Sequence, residues 1–402
     1  MHAVPNFLTT AIRSIHQQRP LLDRAQRWFN RVERVPGGNY VEVWFLTQGC
    51  SWDRQSGCTM CNYGRGARPS ESELIDSVRD GLAAINVKVD ELMVSPSGSM
   101  LDPIEVPEAA RRGIYDLVRN FPAKKFFIET RPETITQETV AELVTSIPGK
   151  RLVIELGLES SCIWVGRFCV NRSHTPQQVS GAIEIINQYR VASFCNVSLG
   201  VAFLNEAEAV SDAVRTIRWA LNNGAANIVV FPVHVKPHTL VNKLFEMGLY
   251  EPPSLWALVE VLKQCADQAH RIEIAWYRSY YDNKSKVRRS PHTCARCYNT
   301  VLMLLDQYRA EQTPESIAAL DAVECPCRNL WNERFNRHSM LPLPERVFQS
   351  YAALAAILRL ESWWDENYLE IKAALEESLP LVMESNDLRM EHGNKQGETH
   401  GD

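Results

Sequence analysis

The sequence predicts an α/β protein: a partial (βα)6 barrel of the TIM type with a metal-pinned, mainly helical C-terminal extension. Short apolar segments alternate six times with amphipathic segments between residues 40 and 269, which is typical of a parallel sheet. Six such units are too few for the closed barrel of eight. Two close pairs of cysteines follow the last unit, which indicates a metal site outside the barrel.

Residues 1–37 are predicted to form a helical segment that precedes the barrel, which we place at residues 38–275. The N-terminal residues lack the continuous apolar core and small-residue cleavage site of a signal peptide. No stretch approaches the ~20 apolar residues that span a bilayer. We therefore expect a cytoplasmic protein without membrane contact. The formal net charge of −5 gives no general attraction to nucleic acid.

Within the barrel, β-branched and aromatic residues predict the strands, and an apolar spacing near 3.6 predicts the helices. The loops that follow the strands build the active site of a parallel barrel. The predicted strands span residues 40–46, 91–95, 124–130, 151–158, 193–203 and 227–235, and the helices after them span residues 70–85, 106–121, 136–147, 175–189, 205–221 and 252–269.

The loop after the first strand contains three cysteines, Cys50, Cys58 and Cys61, and no histidine. In a reducing compartment, clustered cysteines bind metal more often than they form disulfides. Structural zinc and iron–sulfur sites take four protein ligands, so three thiolates leave one metal position open. We interpret these cysteines as catalytic residues that hold a 4Fe–4S cluster with one exposed iron. A structural zinc site that borrows a distant cysteine is the alternative.

This CxxxxxxxCxxC loop resembles the radical S-adenosylmethionine (SAM) superfamily, although its first spacing is four residues longer than usual. The likeness covers residues 38–335 approximately and is to the archaeosine-forming lyases, which are related to the elongator catalytic-subunit and coproporphyrinogen-dehydrogenase branches. It implies reductive cleavage of SAM to a 5′-deoxyadenosyl radical, with electrons from a flavodoxin or ferredoxin type of reductant. The similar segments are "TQGCSWDRQSGCTMCNYG", "SPSGSMLD", "IETRPETIT", "IELGLES", "VNRSHT", "HTLVNKLFEMGLYEPPSLWALVEVLK" and "SPHTCARC".

The resemblance also implies which residues hold SAM. Ser97 and Gly98, in the turn after the second strand, occupy the place that contacts the methionine amino group. Glu159 and Arg172 fall where the coproporphyrinogen-dehydrogenase branch holds the cofactor, and an arginine fork suits a carboxylate. Met60 matches a bulky position beside the adenine, although ordinary packing explains it equally well.

Further polar residues end the third and fourth strands. Glu129 and Arg131 lie where they can contact cofactor or substrate, or pair with one another. We assign Glu129 to the cofactor and Arg131 to the substrate. Glu155 is predicted to face the barrel mouth and contact the substrate as well.

Residues 276–384 are predicted to form the C-terminal extension, and residues 385–402, which lack an apolar period, to be disordered. Four thiolates in two closely spaced pairs predict a closed tetrahedral site, for which zinc is the preferred metal. A second iron–sulfur cluster and unliganded thiols are the alternatives. The four residues are Cys294, Cys297, Cys325 and Cys327.

A basic run that includes Lys286, Arg288 and Arg289 lies beside aromatic residues, which suits phosphate contact and base stacking. A solvated loop is the alternative. The resemblance favours a lyase-type modification of a 7-deazaguanine or another base in tRNA. The negative net charge counts against RNA, so a small metabolite of a specialised pathway and a non-catalytic metal-binding interaction protein remain as alternatives. The sequence does not indicate an oligomeric state.

Overall fold

A computed structural model describes residues 5–20, 27–64, 66–96, 98–278, 286–337 and 339–377. Within these residues, eight strands form one sheet in sequential order, with β1 antiparallel to β2 and every later pair parallel. The sheet curves into a half-barrel whose two ends are β1 and β8, which confirms the predicted class. The strands are β1 (Trp28–Val35), β2 (Gly38–Phe45), β3 (Glu91–Pro96), β4 (Lys125–Thr130), β5 (Arg151–Glu159), β6 (Ala192–Leu199), β7 (Asn227–Pro232) and β8 (Ile272–Ile274).

Helices follow the strands as expected and continue into the C-terminal extension. Several begin with a side-chain cap, for example Ser70, whose hydroxyl accepts a hydrogen bond from the Glu73 amide. The helices are α1 (Phe7–His16), α2 (Ser51–Gln55), α3 (Glu71–Ala83), α4 (Glu108–Asn120), α5 (Gln137–Ser146), α6 (Ile163–Val165), α7 (Pro176–Gln188), α8 (Glu206–Asn222), α9 (Leu240–Glu246), α10 (Leu255–Gln264), α11 (Tyr298–Glu311), α12 (Pro314–Asp321), α13 (Pro326–Phe335), α14 (Leu343–Ile357) and α15 (Glu361–Glu377).

The N-terminal region differs from the predicted helical segment. Only α1 is helical among its described residues, and residues 28–35 form β1, which pairs along its full length with β2. The two strands join through Pro36 and Gly37, and Gly38 has a φ of +120°, a conformation that favours glycine. A Gly-Gly pair between two runs of strand-forming residues is a hairpin signal, so the sequence contained evidence for this strand.

Side chains inside the barrel form layers because successive residues of a strand point to opposite faces. An apolar layer fills the lower barrel, with Phe127 and Phe194 packed edge to face at 5.7 Å between ring centroids. Polar side chains from later positions on the same strands lie above this layer, towards the loops that follow the strands. The other members of the apolar layer include Val35, Tyr40, Met93, Val153, Val229 and Ala275.

The C-terminal extension packs against the barrel at two places. Helix α11 lies between the ends of the sheet: Arg309 forms an ion pair with Glu33 on β1, and the Tyr308 hydroxyl donates to the Ile272 carbonyl of β8 at 2.8 Å. Helix α14 contacts α1, where the rings of Tyr351 and Phe7 lie 4.6 Å apart. Among the described helices, none is both long and apolar enough to cross a membrane. The predicted tail, residues 385–402, lies outside the described residues.

Candidate active site and metal centre

The three-cysteine loop follows β2, at the barrel end where the strands finish. Cys50 precedes α2, and the Cys61 amide donates to the Cys58 carbonyl at 3.1 Å. Gly49 has a φ of +94°, and a Cβ there would overlap the Tyr63 carbonyl oxygen. The glycine therefore allows the two ends of the loop to meet, and this places Cys50 beside the segment that contains the other two thiols.

The Asp53 carboxylate fixes this loop to the N-terminal segment. It accepts hydrogen bonds from the Gly64 amide and from Arg19 Nη1, both at 2.5 Å, and lies 3.4 Å from His16 Nε2. Burial opposes ionisation of Asp53, but the neighbouring His16 ring and the charge of Arg19 outweigh it and lower the pKa of Asp53. Arg19 also donates to the Cys61 carbonyl at 3.4 Å, so α1 and its C-terminal continuation hold the loop from outside.

Arg131 lies directly beside Cys50. Its Nη1 donates to the Cys50 sulfur at 3.4 Å and to Glu105 at 2.6 Å. Its remaining N–H groups donate to Ser51 at 2.8 Å, to Asp102 at 2.5 Å and to Glu133 at 3.3 Å. All five N–H groups of the guanidinium are thus bound within the protein. This arrangement leaves no donor for the predicted substrate contact, and the structure instead gives Arg131 a supporting position next to the cysteine loop.

Glu105 connects the turn after β3 to the same loop. Its side chain is fully buried, and it accepts the Ser51 amide at 2.8 Å and the Ser99 amide at 2.6 Å. A Cβ on Gly98 would overlap this carboxylate and would lie 3.0 Å from the Cys50 Cα. The turn predicted to contact SAM therefore lies against the first cysteine. Ser97, the other residue of that prediction, lies outside the described residues.

Glu159 and Arg172 approach the loop from the other side of the mouth. Glu159 has a φ of +63° at the end of β5, an uncommon conformation for a residue other than glycine, and accepts a hydrogen bond from Ser198. Arg172 Nη1 donates to the Leu158 and Ser160 carbonyls. Its Nη2 is buried and has no hydrogen-bond partner among the described residues. A buried guanidinium nitrogen that lacks a partner favours an anionic ligand at this position.

The environment of the Cys50 and Cys58 thiols favours their neutral form. Burial is the main factor that raises the pKa of Cys50 to about 12, although Arg131 acts in the opposite direction. A hydrogen bond with Cys61 and burial raise the pKa of Cys58 as well. Positively charged iron would supply the stabilisation that these thiolates lack. Met60, between them, is 9% exposed and packs in an apolar cluster that includes residues of α1 and α14.

Two predicted site residues, Glu129 and Glu155, meet inside the barrel. They are register partners on β4 and β5, and Asn196 on β6 donates to Glu129 at 3.2 Å. Burial, together with the charge of Glu42, raises the pKa of Glu129 to about 7. Burial and the charge of Glu129 raise the pKa of Glu155 well above its usual value. Both carboxyls lie on the side of the apolar layer nearer the loops that follow the strands, and the predicted contacts of Glu129 with the cofactor and of Glu155 with the substrate stay predictions.

The four C-terminal cysteines form a compact group. The sulfur–sulfur distances are 3.7 Å for Cys294–Cys297 and 3.5 Å for Cys294–Cys325, Cys297–Cys327 and Cys325–Cys327. All four ligand atoms lie within 4.8 Å of one another. A tetrahedral zinc ion with Zn–S bonds near 2.3 Å would set its sulfurs about 3.8 Å apart. The group therefore fits one tetrahedral ion, whereas a cubane cluster would require its ligands to lie farther apart.

Helix N-termini and a barrel side chain support this group. Cys297 and Cys325 are the N-cap residues of α11 and α13, where the helix dipole stabilises negative charge. The Trp256 indole, on barrel helix α10, donates to the Cys327 sulfur at 3.3 Å. The cysteine group thus joins the extension to the barrel, as the sequence predicted.

The basic run lies next to the barrel mouth. Arg289 forms a β-bridge with Val235, which follows β7, and Lys286, Arg288 and Arg289 are all exposed. Arg289 Nη2 also lies 2.9 Å from His292 Nε2. Residues 279–285, which precede this run, lie outside the described residues.

Comparison with known proteins gives a consistent family. No family model matches the sequence. The chain is 33% identical over 298 residues to the archaeosine synthase subunit beta of Methanosarcina acetivorans, covering 73% of this chain and 84% of that protein. It is 26% identical over 292 residues to the subunit of the same name from Thermococcus kodakarensis, covering 68% of this chain and 84% of that protein. Among solved structures, Elp3 of Methanocaldococcus infernus aligns at 11% identity with a TM-score of 0.43, over 59% of this chain and 58% of that one.

A half-open parallel barrel with a three-cysteine loop after its first parallel strand defines the class of radical SAM enzymes, and this protein is one of them. Within that class, the chain belongs to the archaeosine synthase subunit beta family.

Several residues of the site were not predicted from the sequence. Glu105 and Asn196 have no local motif that marks them, and they join the site only through the fold. Asp102 ends the similar segment "SPSGSMLD", but its contact with Arg131 was not predicted. Asp53 and Arg19 are also brought together by tertiary structure, from positions 34 residues apart. Only Asp53 carried a usable signal, because a carboxylate inside a cysteine loop is a candidate for orienting it.

Proposed function

We propose that Cys50, Cys58 and Cys61 hold a 4Fe–4S cluster at which SAM is bound and cleaved. The observation that carries this proposal is the loop itself, with three cysteines after the first parallel strand and with largely buried charged groups that fix its position. When bound and reduced, the cluster supplies the electron that converts SAM to methionine and a 5′-deoxyadenosyl radical.

The protein's own residues then have distinct roles in this proposal. Arg131 and Glu105 orient Cys50 and the turn that contains Gly98. Arg172 Nη2, which is buried without a partner among the described residues, would receive the carboxylate of SAM. Glu159, held by Ser198, would accept hydrogen bonds from the ribose hydroxyls. Met60 would pack beside the adenine.

For the substrate, we propose a 7-deazaguanine or another base in tRNA, modified in a lyase-type reaction. Support comes from the relatives, which are named as subunits of archaeosine synthase, and from the exposed basic residues next to the mouth. By the same reasoning the chain would act as one subunit of a larger enzyme. An external flavodoxin or ferredoxin would provide the electrons.

We further propose that Cys294, Cys297, Cys325 and Cys327 bind structural zinc. The sulfur separations support a single tetrahedral ion, and all four coordination positions are filled by protein, which suits a structural rather than a catalytic ion. Elemental analysis would test this assignment: we expect one zinc per chain after the iron cluster is removed, and iron in excess of one cluster would contradict it.

Anaerobic reconstitution with iron and sulfide, followed by SAM and reductant, tests the cluster proposal through formation of 5′-deoxyadenosine. Anisotropy with bulk tRNA across a salt series tests the substrate. The triple variant Lys286→Ala, Arg288→Ala, Arg289→Ala should bind tRNA more weakly, with the log–log salt slope reduced by about 0.9 per lost phosphate contact. Arg79, Arg112 and Arg119, on the outer helices α3 and α4, provide a matched triple alanine control. Absence of tRNA binding at low salt would contradict the RNA assignment.

A further inference from the structure

The polar floor of the barrel mouth is built from Glu129, Glu155 and Asn196. Lys125, Phe127 and Glu129 are successive inward positions on β4, and Phe127 belongs to the apolar layer, so Glu129 lies on the side of that layer nearer the cysteine loop. Glu155 is its register partner on β5. Asn196 Nδ2 donates to Glu129 Oε1 at 3.2 Å, and Ser95 donates to Oε2 at 3.1 Å.

The surroundings of this floor are unusually rich in acceptors. Among the described residues, no lysine, arginine or histidine nitrogen lies within 4.0 Å of Glu129 or Glu155. The charges that act most strongly on Glu155 are themselves carboxylates, namely Glu129, Glu273 and Glu42. The charge of Glu159 also raises the pKa of Glu129, whereas the cation of Lys236 lowers it.

Lys236 is bound elsewhere, because its Nζ donates to the Tyr63 hydroxyl at 2.8 Å and lies 4.4 Å from the centroid of that ring. Glu42 likewise has its own cation, Arg31, at 2.7 Å. The two carboxyls of the floor are thus left with the amide of Asn196 and the hydroxyl of Ser95 as their partners.

Asn196 supplies a second, independent sign of a missing ligand. Its residue exposure is 4%, and its Oδ1 has no hydrogen-bond partner among the described residues although the atom is buried. Buried polar atoms are nearly always paired in folded proteins. An unpaired acceptor on a side chain already bonded to Glu129 is a position that a donor of a bound group can occupy.

We propose that Glu129, Glu155 and Asn196 form a binding site for a cationic, N–H-bearing group of the substrate, of the ammonium, amidinium or guanidinium class. This inference rests on the proposed function in one respect, namely that the substrate reaches the reaction centre through this mouth. A cation offers several donors and a positive charge, and both are needed by two carboxyls and an amide oxygen. A neutral amide offers donors but no charge to stabilise the ionised form that burial opposes in both carboxyls.

Ethylguanidinium and its neutral isostere ethylurea test the proposal with the full-length protein, because the two probes share their shape and differ in charge. Binding is measured by saturation-transfer NMR at constant ionic strength, with and without SAM. We expect ethylguanidinium to bind at least about tenfold more tightly than ethylurea, the effect of one charge-assisted hydrogen bond. Glu129→Gln and Glu155→Gln should each abolish that preference.

Glu206→Gln serves as the matched control, because burial raises the pKa of this acid too, and Glu206, at the start of α8, is not among the charges that act most strongly on Glu129 or Glu155. This variant should retain the preference for ethylguanidinium. Equal binding of the two probes, or an equal loss in the control, would overturn the proposal. Displacement of ethylguanidinium by SAM would overturn it too, because the site would then belong to the cofactor. Thermal melts confirm that each variant is folded.

Formation of 5′-deoxyadenosine without substrate separates this inference from the proposed function. A wild-type protein that cleaves SAM but does not distinguish the two probes retains the proposed function and loses the cation site. Conversely, probe binding without SAM cleavage supports the site and contradicts the proposed chemistry.

Discussion

The two cysteine sites of this protein both offer thiol ligands, but the C-terminal group has four cysteines and the barrel loop has three. At the C-terminal group, four sulfurs approach within 3.5 to 3.7 Å of their neighbours, and the ligands alone can complete a tetrahedron. In the barrel loop, the first thiol receives a hydrogen bond from Arg131, and the segment with the third is held by Arg19. A closed site is ordered by its metal, whereas an open site requires a protein scaffold that keeps the ligands in place without a fourth one.

The two sites also differ in the buried charged residues around them. Three largely buried charged residues belong to the open loop or lie beside it: Asp53 within the loop, and Glu105 and Arg131 next to it. Each forms hydrogen bonds with several backbone or side-chain groups. Around the closed site the supporting groups are an indole and two helix N-termini. Burying ions costs free energy. This protein buries them beside the loop proposed to hold the cluster, where the positions of the reacting groups must be maintained.

The largest expected effect comes from removing a ligand of the open site. Cys58→Ala should reduce 5′-deoxyadenosine formation by about a thousandfold or more, because loss of a cluster ligand removes the cofactor that supplies the radical. The melting temperature should stay near that of the wild type without the cluster. Wild-type rates of SAM cleavage in this variant would contradict the assignment of the loop.

Removing a ligand of the closed site should affect stability first. For Cys325→Ala, or after chelation of the metal, we expect the melting temperature to fall on the order of 10 °C, because metal binding free energy is also folding free energy. Calorimetry with and without added zinc measures this. If the variant melts like the wild type while activity is lost, the comparison between structural and catalytic sites is wrong.

Arg131→Met tests whether the open loop depends on its buried charges. The substitution leaves the Glu105 carboxylate buried without its cation, which should cost about 3–5 kcal/mol in the free energy of unfolding. Urea denaturation measures the loss. Adding Glu105→Gln should restore part of the stability, because the unpaired charge is removed; an additive double variant would indicate that the two side chains act independently.

The smallest expected effect is a change in pH dependence. Glu129 has a folded-state pKa of about 7, above its usual 4.5, so between these values the folded protein binds more protons than the unfolded chain. Its contribution to stability is therefore present at low pH and is lost as pH rises through 7. Glu129→Gln should flatten this part of a plot of melting temperature against pH. An unchanged slope would show that the carboxyl is not titrating there.

The sequence predicted those features that depend on local pattern. Alternating strands and helices gave the half-barrel, and cysteine spacing identified both cysteine groups. It did not predict β1, although the Gly37–Gly38 pair beside the turn was visible, because a polar antiparallel strand has a weaker signal than the buried parallel ones.

The hydrogen-bond partners of Arg131 could not be predicted from the sequence. Its partners Glu105 and Asp102 lie 26 and 29 residues away, and only the close approach of two strand ends joins them. The pairing of Glu129 with Glu155 could not be predicted for a similar reason, since register between strands, not position in a motif, determines which side chains share a level inside a barrel.

Helix α11 gives the four-cysteine group an importance beyond local stability. Cys297 is the N-cap residue of this helix, which lies between the free edges of β1 and β8 and contacts them through Arg309 and Tyr308. Strand edges that are left uncovered offer backbone donors and acceptors to other chains and promote aggregation. If the four-cysteine group binds an ion as proposed, loss of that ion would weaken the anchor of this helix and leave both edges less well covered. The supply of the ion would then affect solubility as well as stability.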